Sequence, residues 1–139
     1  MNAYILAILG AICWGVAPLF GKVGLRGINP LDGLAARTVI TVALVFGLTI
    51  GRGGLERLTT IPSRRWWFLA AEAFLATFAG DLAYYGAIKK GAISQTALIL
   101  AISPLITIGV GWYFLGEILS LPQLIGAALI IVGLVLVGF

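Results

Sequence analysis

Apolar residues run almost unbroken along the chain and give way only at short clusters of charged residues, glycine and proline. The uninterrupted stretches extend from about Ala3 to Gly21, Gly33 to Gly51, Trp66 to Ile88, Ala92 to Leu115 and Leu121 to Phe139. A hydrocarbon core of roughly 30 Å takes about 20 helical residues, so the pattern predicts five transmembrane helices and an all-α integral membrane fold. Met1 to Tyr4 holds no basic residue and no cleavage-like site follows, so the first stretch is expected to be a span and not a removed leader. The connections are short. Lys22 to Asp32 holds Gly27, Asn29 and Pro30, Arg52 to Arg65 is broken by Gly53, Gly54 and Pro62, Lys89-Lys90-Gly91 is a tight link, and Gly116-Glu117 is followed by Pro122. None has room for a soluble domain, so residues 1–139 are expected to form one transmembrane domain.

Composition agrees and narrows the chemistry. Hydrophobic residues make up 61% of the chain and charged residues 10%, with a mean hydropathy of +1.13, outside the range of soluble domains. Cys13 is the one cysteine and histidine is absent, which removes an intrachain disulfide, a thiol or histidine metal site and a histidine proton relay. There is no phosphate-binding glycine loop and no nucleophile set. We therefore expect no enzyme activity, no cofactor and no metal. The net charge of +4 is what basic loops beside anionic headgroups produce, and does not point to nucleic acid.

Five spans put the termini on opposite sides, and Lys and Arg in the loops then select the orientation. Arg52, Arg57, Arg64 and Arg65 lie on the N-terminal side, against Lys22, Arg26, Lys89 and Lys90 on the other. Neither side has the majority. Two outcomes stay open: the long loop dominates and fixes one orientation, or the chain inserts both ways and supplies both halves of an inverted-repeat transporter.

Ala3, Ala7, Ala11 and Gly15, and Ala76, Ala79, Ala83 and Ala87, form small-residue stripes suited to close helix packing in lipid. Ionisable residues inside the spans say more, because each costs about 2.5–3.5 kcal/mol at a helix centre. Arg37, Glu72 and Asp81 qualify. Arg37 lies near a helix start and has the length to snorkel; Asp81 is deeper and its side chain is short. The two approach similar depth, so a salt bridge between them is geometrically possible, and such a bridge would be a structural contact and not a transport feature. Nine α-helical steps of about 100° place Glu72 and Asp81 on nearly opposite faces. Asp81 shares its face with Phe74, Thr77, Phe78 and Tyr85, a candidate cation pocket or an ordinary aromatic packing face. Two acids in one span also raise proton coupling as a hypothesis, with Glu72 lining a shared cavity in a dimer. In the first helix Gly10, Trp14, Pro18 and Lys22 line one face, with Trp14 as an apolar wall and Pro18 freeing a backbone carbonyl. In the fourth, Ser103-Pro104 predicts a kink among Ser94, Gln95, Thr96 and Thr107, serving either as a structural bend or as a hinge.

In order along the chain, Ile8-Leu-Gly-Ala-Ile-Cys-Trp-Gly15 with Lys22, Arg37, Ala87, Ser103-Pro104, Leu115-Gly-Glu117 and Gln123-Leu-Ile-Gly126 with Gly133 resemble the EamA family of the drug/metabolite transporter superfamily. The resemblance covers essentially the whole chain. It implies half of a ten-helix inverted-repeat transporter, of the single-repeat five-helix bacterial and archaeal type, completed by a homodimer that is antiparallel if topology is dual. It further implies a multi-pass protein of a prokaryotic inner membrane that exports small metabolites or drug-like solutes by alternating access. The pathway residues expected are Trp14, Pro18, Lys22, Arg37, Glu72, Asp81, Tyr85 and Pro104. Two other classes fit the same residues: a non-transporting accessory subunit, and a flippase for lipid or lipid-linked sugar with Arg37 and Lys22 on a phosphate.

Overall fold

The computed structural model describes residues 2–137, and every regular element among them is helical. Met1, Gly138 and Phe139 lie outside the described residues, and with them the end of the last expected span. The chain divides into two compact units, Met1–Lys90 and Gly91–Phe139.

The first unit begins with α1 (Ala3–Gly24) and α2 (Pro30–Gly51), each of 22 residues. At 1.5 Å per residue each is about 33 Å long, enough to cross a bilayer. Asn2 and Asn29 cap them, their side-chain oxygens accepting from Tyr4 N–H at 3.3 Å and Leu31 N–H at 3.1 Å. Pro30, expected in the connection, instead opens α2 as its first residue. Its missing N–H is one the first turn leaves unpaired in any case. The helix therefore starts ahead of the apolar run that marks it.

Beyond α2 the chain turns through Gly53, whose φ of +59° suits glycine, into α3 (Leu55–Thr59). Three segments then follow without interruption: α4 (Ser63–Glu72), a π-helical segment (Ala73–Gly80) and α5 (Asp81–Lys90). Wide i→i+5 turns of this length are rare. They also correct the angular expectation, because steps of 100° do not apply between Glu72 and Asp81, which sit at the two ends of the π segment.

The core of this unit lies where the end of α1, the start of α2 and α5 converge. Leu25, Leu34, Tyr85 and Ile88 are buried there, with Leu82 and Tyr84 packed against them. Close approach depends on two missing side chains. A Cβ on Gly33 would run into the Leu25 side chain and lie 3.6 Å from the Tyr85 ring, and one on Gly21 would lie 3.3 Å from Ile88. Lys89 ties the same end together, its Nζ donating to the Ile28 carbonyl at 2.7 Å.

The second unit holds α6 (Ile93–Leu100), α7 (Ser103–Leu115) and α8 (Leu121–Leu136). The bend expected at Ser103-Pro104 is a break at Ala101 and Ile102, after which Pro104 sits in the first turn of α7. Gly116 ends α7 with a left-handed φ of +66°, and Glu117 N–H donates back to the Gly111 carbonyl at 3.3 Å. At the start of α8, Gln123 Oε1 accepts from the Ser120 N–H at 2.8 Å.

Ala3–Gly24, Pro30–Gly51 and the stretch Ile93–Leu115 are long and apolar enough to cross a membrane. Most large apolar side chains outside the small core are exposed, Trp14 at 81% and Trp67 at 78% among them. Water would not tolerate so large an apolar surface. This is a membrane protein, and lipid is the solvent for that surface.

Candidate functional site

One cluster in the first unit joins charge to aromatic surface. Arg37 lies seven residues into α2, about 10 Å from its start at 1.5 Å per residue. Asp81 is the first residue of α5. Their side chains meet with Arg37 Nη2 and Asp81 Oδ2 2.9 Å apart. Arg37 therefore does not need to snorkel, and the salt bridge allowed by the sequence is formed. The Tyr85 ring, one turn beyond Asp81, lies with its centroid 5.7 Å from the Arg37 guanidinium carbon, a cation–π distance.

The elements hold these groups at fixed positions. Tyr85 is 8% exposed and backs onto Gly33, with Gly21 on the α1 side, so its ring is fixed between two helices. The ion pair is less enclosed, the two side chains being 44% and 23% exposed. It is thus accessible from outside this unit. Tyr84 adds a further polar group: its hydroxyl oxygen is buried with no hydrogen-bond partner among the described residues. An unpaired buried hydroxyl carries a free-energy cost of about 1–3 kcal/mol, and nothing in the sequence marks it apart from the doubled tyrosine.

The other expected pathway residues fall elsewhere. Trp14 is exposed on α1, and Pro18 lies within that helix without breaking it. Lys22 is half-buried in the last turn of α1. Glu72 is exposed at the end of α4 and forms no ion pair within 4 Å among the described residues. Asp81 and Tyr85 remain neighbours as expected, while Phe74 and Phe78 pair with each other within the π segment, ring centroids 5.7 Å apart. Pro104 belongs to the second unit. No group of three metal-ligating side chains occurs among the described residues.

A charge pair with one member well inside an apolar helix is the kind of feature found where polar solutes cross membranes, and the sequence profile of the EamA-like transporter family matches residues 1–139. The chain belongs to this family. It is 34% identical over 132 residues to the uncharacterized transporter in the cobO 3' region of a Sinorhizobium species, covering 95% of this chain and 93% of that protein. It is similar at 30% identity over 137 residues to an uncharacterized protein of Methanocaldococcus jannaschii, covering 99% and 96% of the two chains. The uncharacterized transporter YyaM of Bacillus subtilis is 25% identical over 129 residues, which is 93% of this chain but 42% of YyaM. No solved structure matches. EamA membership and the apolar helices agree on a membrane transporter at the general level.

Proposed function

We propose that this EamA-family chain is a secondary transporter of the prokaryotic cell membrane, spanning it several times, that exports a small organic solute by alternating access as a homodimer. The observation that carries the proposal is the part-exposed Arg37–Asp81 pair, with Arg37 seven residues into an apolar helix long enough to cross a bilayer. A charged solute group, or a proton on Asp81, competes for the same partner that Arg37 now occupies, which couples occupancy of the site to the positions of α2 and α5. The Tyr85 face offers an apolar and π surface beside it. No covalent bond of the solute is made or broken in such a cycle.

Dimerisation follows from size and charge. YyaM contains a matching segment that is less than half of its length, in keeping with one copy of this unit being half of a pathway. Equal basic charge on the two sets of loops supports two opposed copies. The stripe of small residues on α1 is exposed, with nothing within 4 Å of where a Cβ on Gly15 would lie, and suits a second helix from the partner copy.

Purified chain in proteoliposomes, loaded with a panel of radiolabelled metabolites and drug-like cations, tests this under an imposed proton gradient. The expected result is export of at least one compound by the wild-type chain alone, and its loss in Arg37→Gln and in Asp81→Asn. Transport unchanged in both variants would remove the pair from the pathway. Transport that appears only when a second, different membrane chain is added would replace the proposal with an accessory role.

A further inference from the structure

At the opposite end of α2 from the ion pair, a groove of about 380 Å³ opens between the last turns of that helix and α3. Arg52 and Arg57 line it together with Val45, Leu48, Leu58 and Ile61. Both arginines are set there by the backbone. Gly53 turns the chain with its positive φ, and Gly54 is buried, its N–H donating to the Thr49 carbonyl at 2.8 Å. The Arg57 guanidinium lies over Gly54, where a Cβ would stand 3.1 Å from its Nη2, and it donates to the Arg52 carbonyl at 3.2 Å. Neither arginine has a carboxylate within 4 Å among the described residues, although Glu56 lies between them in sequence. Two cations thus share one groove with most of their donors unused.

We infer that this groove holds the phosphate of an anionic phospholipid. Arginine side chains match phosphate oxygens in charge and in fork geometry, and two of them line this groove. The groove begins where the 22-residue α2 ends, at the level where a spanning helix meets headgroups. Its walls decide between a lipid and a soluble anion. Val45 and Leu48 continue down α2 toward the hydrocarbon, a surface that acyl chains cover and that a free phosphate would leave bare. The bound lipid would anchor the turn between α2 and α3, and the assignment stands whether or not the chain transports a solute.

Native mass spectrometry of the full chain in detergent, titrated with phosphatidylglycerol and with phosphatidylcholine of the same acyl chains, tests the inference. The wild type is expected to prefer phosphatidylglycerol. Arg52→Gln with Arg57→Gln is expected to weaken it by about tenfold or more, because the charge-assisted hydrogen bonds to the phosphate are lost. Arg64→Gln with Arg65→Gln, outside the groove, is expected to change it by less than about threefold. Equal binding of the two lipids by the wild type overturns the inference without need of any variant. So does an equal loss in the two double variants, which would make the preference a property of general basic charge. Displacement of phosphatidylglycerol by excess inorganic phosphate would assign the groove to a soluble anion and overturn the lipid assignment.

Discussion

Arg37 and Asp81 are each unfavourable alone in an apolar helix and tolerable together. Removing one partner leaves the other as an uncompensated charge, at about 2.5–3.5 kcal/mol on the insertion scale for a helix centre and less where a long side chain reaches the interface. Arg37→Gln and Asp81→Asn are each expected to destabilise the folded chain by about 1–3 kcal/mol, and the double variant by less than the sum of the two. Thermal unfolding in detergent micelles, followed by helical circular dichroism, gives the cycle. Strict additivity would mean that the two side chains do not interact. Gly33 allows a sharper test of packing at the same site. Gly33→Ala places a methyl group on Leu25 and against Tyr85, and overpacking of this kind costs about 1–3 kcal/mol. At Gly15 a Cβ meets nothing within 4 Å. There the same change is expected to be neutral within a single copy, or to gain up to about 1 kcal/mol from helix propensity, and to cost stability only where a partner copy packs on that face. A loss of stability in Gly15→Ala that grows with protein concentration would place that face in a contact between copies.

At the scale of elements, the third expected span departs furthest from its sequence. Trp66 to Ile88 reads as one apolar helix, but Ala73–Gly80 takes wide π turns between α4 and α5. Gly80 permits the last of them: a Cβ there would stand 2.9 Å from the Leu75 carbonyl oxygen, a backbone atom that cannot swing aside. Gly80→Ala is therefore expected to lower stability by about 1–3 kcal/mol, whereas the same change in a regular helix would raise it. A higher melting temperature in Gly80→Ala would show that the segment is α-helical in the membrane. The turn after α7 has its own glycine requirement. Gly116 adopts φ +66°, so Gly116→Ala is expected to cost about 1–2 kcal/mol, read as a drop in melting temperature.

For the whole molecule, orientation is the open quantity, since four basic residues lie in each set of loops when five spans are counted. A cysteine added at the C-terminus in a Cys13→Ala background, labelled in intact cells with a membrane-impermeant reagent before and after permeabilisation, reads it directly. Exposure of about half of the molecules to the outside is the result expected of two opposed copies. Labelling from one side only would exclude an antiparallel homodimer. Adding two lysines to one loop is then expected to shift the distribution toward that loop facing the cytoplasm, because insertion follows the bias in Lys and Arg.

Hydropathy alone determined that this is a helical membrane protein, because apolar surface of this extent has no stable arrangement in water and helices satisfy their own backbone in lipid. It also singled out Arg37, Glu72 and Asp81, since a charge inside an apolar run stands out by its cost, and the ordered motifs pointed to the EamA family that the profile match shows. Tertiary structure decided the rest. That Arg37 meets Asp81 and does not snorkel depends on the approach of α2 to α5, which Gly33 and Gly21 permit and hydropathy does not record. The orphaned Tyr84 hydroxyl, the π turns and the shared groove of Arg52 and Arg57 are likewise products of packing and of backbone turns. Hydropathy is a property of single residues summed along a window. These features belong to pairs of residues brought together by folding, and to a choice between α and π hydrogen bonding that a run of apolar side chains leaves undetermined.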